Sequence, residues 1–300
     1  MKGKFNGIFV PLITPFKEDG EIDFDGFEKI INFLTPKVKG FFVNATTGEF
    51  TSLTLKERKR IMVFVKEIIG KDVKLLANVS STSFKEVEEL INLAKELEYD
   101  AIVSPPPFYL IPNKEGIKDY FLSIARISEM DTIIYNIPSC TGYSVSVDLI
   151  RELALKEEKI IGVKATIDSL GYIKDLILKV KKEREDFSVL TGLGFYLSST
   201  LIFGGDGGIL ALSHIAPDVL TSIIKNFEEG NITSFKKNTE FIARLTDIYR
   251  FGTSFASSIK IALKLMGFPI STYVRKPLIV DDEEAILNIE KILKELKIVD

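Results

Sequence analysis

The sequence predicts an α/β protein: a (β/α)8, or TIM, barrel with a C-terminal helical extension. Three observations predict it. Short apolar strands alternate with amphipathic helical stretches eight times across residues 1–230, the pattern of a parallel sheet covered by helices. The chain has 300 residues and is 46% apolar, which suits one barrel with a large core. The first strand runs into Thr14-Pro15-Phe16 with no GxGxxG. An open doubly wound sheet, the alternative, would want a glycine-rich phosphate loop there.

The strands are read in order as Gly7–Thr14, Gly40–Asn44, Val73–Ser80, Ala101–Pro105, Thr132–Pro138, Ile160–Thr166, Phe187–Gly192 and Gly207–Leu212. Each is a short apolar run bounded by turn residues. Between them lie stretches such as Phe84–Leu97, with charges opposite an apolar face. Residues 231–300 lack strand alternation and read as three helices, Ser234–Tyr249, Ser254–Met266 and Glu283–Leu296, packed on the barrel. The acidic run Asp281-Asp282-Glu283-Glu284 precedes the last of these. It reads as a helix N-terminus favoured by the macrodipole, not as a metal site.

Composition narrows the chemistry. Net charge is −3, from 39 basic and 42 acidic residues in a mixed distribution, with no basic stripe to meet a nucleic acid. A single cysteine, Cys140, excludes an internal disulfide and a thiolate zinc site. A single histidine, His214, excludes a multi-histidine metal cluster. There is no GxSxG elbow for a Ser-His-Asp triad. No apolar run has membrane-spanning length and no signal peptide is recognisable, so the expectation is a cytoplasmic protein. Low Cys, no Trp and abundant Lys, Glu and Ile are compatible with a heat-adapted source.

Chemistry must then come from Lys, Tyr, Thr, Asp or Glu, and in a barrel from the C-terminal strand ends. Lys164 is the only charge in the apolar run Ile160–Thr166. Burial favours its neutral amine, a nucleophile toward carbonyls. The other reading is a lysine whose stem is covered and whose head reaches water. Tyr135 lies in the preceding strand, a neighbour in a barrel, so a tyrosine acid/base and an amine could share one mouth. A core tyrosine with a satisfied hydroxyl is the alternative. Thr166, two residues beyond Lys164, points to the same side. After the second strand, Asn44-Ala45-Thr46-Thr47-Gly48-Glu49 reads either as an anion cradle or as a turn whose threonines bond their own backbone. His214 reads as structural, and Cys140 as a small apolar filler near the mouth that could line a pocket.

The segments ATTGE, SPPPFYLIP, YNIPSCTG, GVKAT and GGDGGI, in this order along the whole chain, resemble the pyruvate-dependent Schiff-base lyases. That family includes dihydrodipicolinate synthase, N-acetylneuraminate lyase and the 2-keto-3-deoxygluconate aldolases. The resemblance implies that Lys164 forms an imine with a 2-keto acid and that Tyr135 shuttles protons. Thr46 and Thr47 would hold the substrate carboxylate, with Thr47 in the proton relay. Tyr109 would reach into a neighbouring subunit's site. Ile209 would face the lysine with its carbonyl, and Thr166 would touch substrate. The resemblance implies no cofactor and no metal, only the covalent imine. The implied partners are a small 2-keto acid and an aldehyde, in a homotetramer built from dimers.

Departures from the family pattern bear on substrate. Cys140 stands where dihydrodipicolinate synthases carry an arginine that grips the second substrate's carboxylate, and a thiol cannot replace a bidentate guanidinium. Gly194, Phe195 and Ala211 stand near positions where the neuraminate lyases carry polar groups. Asn44 resembles the asparagine of the 2-keto-3-deoxygluconate aldolases, though Ala45 replaces their glycine. The loop 105–113 has no arginine for a phosphate; Ile111 lies near where one would fall. Arg250 resembles a second, helical arginine of those enzymes but also fits a surface helix. The expectation is cleavage of a non-phosphorylated 2-keto-3-deoxy sugar acid, or of a shorter hydroxy keto acid, to pyruvate and an aldehyde such as glyceraldehyde. Alternatives are dihydrodipicolinate synthase, condensing pyruvate with aspartate semialdehyde, and a catalytically silent barrel that binds 2-keto acids.

Overall fold

The computed structural model describes residues 2–70 and 73–300. Among the described residues there are eight strands: β1 (Gly7–Pro11), β2 (Gly40–Val43), β3 (Lys74–Asn78), β4 (Ala101–Ser104), β5 (Thr132–Asn136), β6 (Ile160–Ala165), β7 (Ser188–Thr191) and β8 (Gly207–Ile209). They follow one another in chain order around a closed barrel, the architecture the alternation predicts. Helices stand between the strands and continue after β8. Every residue of β2, β4, β5, β6, β7 and β8 is buried. A parallel strand has its core on one side and helices on the other, which is why these segments read as unbroken apolar runs.

The chain parts into two compact units, Met1–Gly7 with Lys74–Ile209 and Ile8–Val73 with Leu210–Asp300. In the first, Phe121, Ile134, Leu149, Val163, Ile173 and Val189 belong to one buried cluster. The same unit holds a buried ion pair. Lys181 and Asp206 are buried together, with Nζ 2.8 Å from each carboxylate oxygen. Asp206 also accepts the N–H groups of Gly3 and Val189, and so ties the N-terminal segment to the start of β7. The aspartate of the GGDGGI segment is thus a structural anchor.

In the second unit β1 pairs with β2, Phe9 lying opposite Gly40. The helix Leu55–Ile68 begins with a capping box, in which Thr54 and Glu57 satisfy each other's backbone N–H groups. The three helices read after residue 230 are present as Ile232–Leu245, Phe255–Leu265 and Glu283–Glu295. Asp282 caps the last through the N–H of Ala285, as expected for an acidic helix start. His214 is completely buried. Its Nε2 accepts the Ile13 N–H at 3.3 Å and its Nδ1 meets the Ala211 carbonyl at 2.8 Å. Burial draws its pKa down to about 4, so it is a neutral structural imidazole.

Candidate active site

Lys164 and Tyr135 are cross-strand partners on β6 and β5, and both are buried. The ammonium nitrogen lies 3.9 Å from the centre of the Tyr135 ring. Burial pulls the Lys164 pKa down from 10.5 to about 7, and the Cys140 sulfur opposes that shift electrostatically. A lysine whose head reached water would keep its ordinary value. At neutral pH this side chain therefore carries a large fraction of free amine, the form that attacks a carbonyl.

The surroundings of this pair are built from the ends of β4 to β7. Past β5, Pro138–Thr141 make one helical turn that carries exposed Cys140. Asn136 holds the following segment through the Ser144 hydroxyl and the Val145 N–H. Tyr172 adds a hydrogen bond to the Val145 carbonyl at 2.6 Å. Past β6, the Thr166 N–H donates to the Asn136 carbonyl and the Gly192 N–H to the Ala165 carbonyl. The Thr166 hydroxyl is buried and has no hydrogen-bond partner among the described residues. A Cβ on Gly192 would fall 1.8 Å from that oxygen, so the hydroxyl keeps its place only because residue 192 has no side chain. Asp168 and Tyr196 are hydrogen-bonded to each other beyond the same strand ends.

Tyr109 sits in the loop after β4 with a left-handed backbone, φ 71°. It is 89% exposed, and Leu110 and Ile111 beside it are 80% and 57% exposed. The loop is tied down at Pro107, whose carbonyl accepts the Tyr143 hydroxyl at 2.7 Å. Ile209 is buried as the last residue of β8.

In the other unit, Thr46 and Thr47 open a 3-10 turn directly after β2, with Thr47 buried. The Gly48 carbonyl accepts the Thr14 hydroxyl at 2.7 Å. Arg250 is 77% exposed and pairs with Asp247 within its own helical turn, a surface arginine. Among the described residues no cluster of three or more His, Cys, Asp or Glu is placed to hold a metal, and no helix is long and apolar enough to cross a membrane.

The profile of the dihydrodipicolinate synthetase family matches residues 4–296. The chain belongs to that family. A DapA-like lyase of Thermococcus onnurineus, itself uncharacterized, is 42% identical over 97% of this chain and 99% of its own length. The putative 2-dehydro-3-deoxy-D-gluconate aldolase YagE of Escherichia coli is 32% identical, with 98% of each chain covered. The crystal structure of YagE in complex with pyruvate superposes with a TM-score of 0.96, covering 99% of this chain and 100% of that one. The protein is therefore an enzyme, a class I pyruvate-dependent lyase.

Three features escaped the sequence reading. Lys260, fully buried and paired with Glu49, lies in the largely apolar stretch FASSIKIALKL, where a second lysine, Lys264, hides the lone-charge signal that marked Lys164. The Lys181–Asp206 pair joins residues whose own segments give no such signal. The close approach of Gly192 to Thr166 shows only in three dimensions.

Proposed function

We propose that the protein is a Schiff-base aldolase that reversibly cleaves a non-phosphorylated 2-keto-3-deoxy sugar acid to pyruvate and an aldehyde. The observation that carries this reading is Lys164, buried against the Tyr135 phenol with its amine drawn to about neutrality. The free amine adds to the C2 keto carbon, and the carbinolamine loses water as Tyr135 gives its phenol proton to the departing hydroxyl, leaving an imine protonated at nitrogen and a Tyr135 phenolate. That cation accepts the electron pair of the C3–C4 bond as it breaks. Tyr135, taking the C4 hydroxyl proton, releases the aldehyde and leaves an enamine. Protonation of the enamine at C3 and hydrolysis return pyruvate and Lys164. Thr46 and Thr47 are assigned the carboxylate, with Thr47 also in the proton relay. Thr166 and Cys140 are assigned to substrate contact, and Ile209 to the backbone facing the lysine. The chemistry uses no cofactor and no metal.

The substrate choice rests on what is absent at the strand ends. Cys140 offers no guanidinium for a second carboxylate, and loop 105–113 offers no arginine for a phosphate. The relatives named as aldolases, YagE and the probable 2-dehydro-3-deoxy-D-pentonate aldolase YjhH, at 33% identity over 94% of each chain, support the same class. The exposed Tyr109-Leu110-Ile111 run supports assembly into a homotetramer in which Tyr109 is donated to a neighbour.

The test is an acceptor comparison. With pyruvate present, glyceraldehyde should be consumed to a 2-keto-3-deoxy acid, and aspartate semialdehyde should not be. The reverse preference would replace this reading with dihydrodipicolinate synthase. Turnover of neither acceptor, with pyruvate bound but unreacted, would replace it with a silent keto-acid-binding barrel.

A further inference from the structure

Behind the two threonines lies a cluster of buried charge that the proposed chemistry does not use. Lys260 projects from the helix Phe255–Leu265. Its Nζ donates to Glu49 Oε1 at 2.5 Å and to the Tyr273 carbonyl at 2.9 Å, and it rests 4.4 Å from the centre of the Phe16 ring. The other Glu49 oxygen accepts the Arg275 N–H at 3.3 Å. The Arg275 guanidinium in turn binds both oxygens of Glu57, at 3.0 and 2.6 Å. Both oxygens of the Glu49 carboxylate are thus held by the C-terminal segment.

Glu49 follows the threonines after one residue, Gly48. It has a left-handed backbone, φ 55°, and its N–H donates to the Thr46 carbonyl at 3.0 Å. Gly48 is clamped from the other side. Thr14 holds its carbonyl, and a Cβ there would lie 2.7 Å from the Leu12 carbonyl oxygen. The turn that carries Thr46 and Thr47 is therefore pinned at Gly48 by the β1 segment and at Glu49 by Lys260.

A buried ion pair adds little net stability, because desolvation offsets the attraction. An apolar pair of similar size would hold the helix at least as well. What the charged pair adds is direction: it fixes the carboxylate and, through it, a strained backbone. We infer that Lys260 is a positioning residue, which through Glu49 orients the Thr46–Thr47 turn for the carboxylate of the 2-keto acid. The inference rests on the role proposed for those threonines, and it makes the C-terminal helices part of the substrate-binding apparatus.

The experiment measures half-saturating pyruvate for borohydride trapping in the full-length protein. The double variant Glu49→Leu/Lys260→Met should melt close to the parent and trap pyruvate at saturation, with half-saturation raised about tenfold. Should that variant fail to fold, Glu49→Gln serves. Burial already draws Lys260 down to about 8, so the amine can shed its proton when its partner loses its charge. In that background Thr47→Val should add little to the half-saturation value, whereas in the parent it raises the value severalfold. Unchanged half-saturation in a folded variant, or full additivity with Thr47→Val, would overturn the inference. Absence of trapping in the parent would instead overturn the reading of the site itself.

Discussion

Lys164 should act as a nucleophile at neutral pH, and imine formation should follow loss of its proton. Burial draws the amine from 10.5 to about 7. At pH 7 roughly half of it is then free base, against roughly one part in three thousand for an exposed lysine, a gain of about a thousandfold in reactive amine. The assay is the initial rate of pyruvate adduct formation, quenched with borohydride and read by intact mass across a pH series. The rate should rise about tenfold per pH unit below neutrality, pass a midpoint near 7 and level off. A midpoint near 10 would refute the reasoning. The same shift governs stability. Because the folded-state value lies below the unfolded one, the native state binds fewer protons between about pH 7 and 10.5, and stability rises with pH across that window. Below pH 7 the whole cost of the buried cation is present, roughly 5 kcal/mol from the gap between 10.5 and about 7. Lys164→Met removes the cation. It should therefore be more stable than the parent toward denaturant at pH 6, by an amount that shrinks toward pH 10. An advantage that grows with pH would contradict the sign.

Three further outcomes are expected. Tyr135→Phe keeps the ring against Lys164 but loses the hydroxyl, so the pyruvate adduct should persist while turnover falls ~10²–10⁴-fold; full turnover would remove Tyr135 from the proton relay. Gly192→Ala drives a Cβ to 1.8 Å from the Thr166 oxygen. It should raise KM for the sugar acid and cost about 1–3 kcal/mol in denaturation, and an unchanged KM would show that the Thr166 hydroxyl does not touch substrate. Asp206→Ala leaves Lys181 buried without its carboxylate and should cost about 3–5 kcal/mol. A loss under 1 kcal/mol would show that water reaches Lys181.

The barrel was legible because two-sided burial writes each strand as a continuous apolar run. The strand ends were less so. The apolar run predicts a first strand to Thr14, yet β1 ends at Pro11. Leu12 still donates to Phe42, but the Ile13 N–H turns to His214, some two hundred residues away. The last strand was read to Leu212, yet β8 ends at Ile209 and Ala211–His214 coil into a 3-10 turn. Apolar residues continue past both ends because the turns are buried too, so hydrophobicity alone does not mark the boundary. Lys164 and Tyr135 were legible as partners because neighbouring parallel strands place them side by side. The partner of Lys260 was not: Glu49 is separated from it by 211 residues, and no local pattern joins a helix lysine to a glutamate after a distant strand. Gly192 was illegible for the same reason, since its meaning is the space it leaves for Thr166.

Imine formation between Lys164 and pyruvate is tested by borohydride reduction with pyruvate followed by intact mass. One reduced pyruvate adduct per chain is expected, located at Lys164 by peptide mapping and lost in Lys164→Ala. No adduct on the native protein, or an adduct that survives Lys164→Ala, would contradict it.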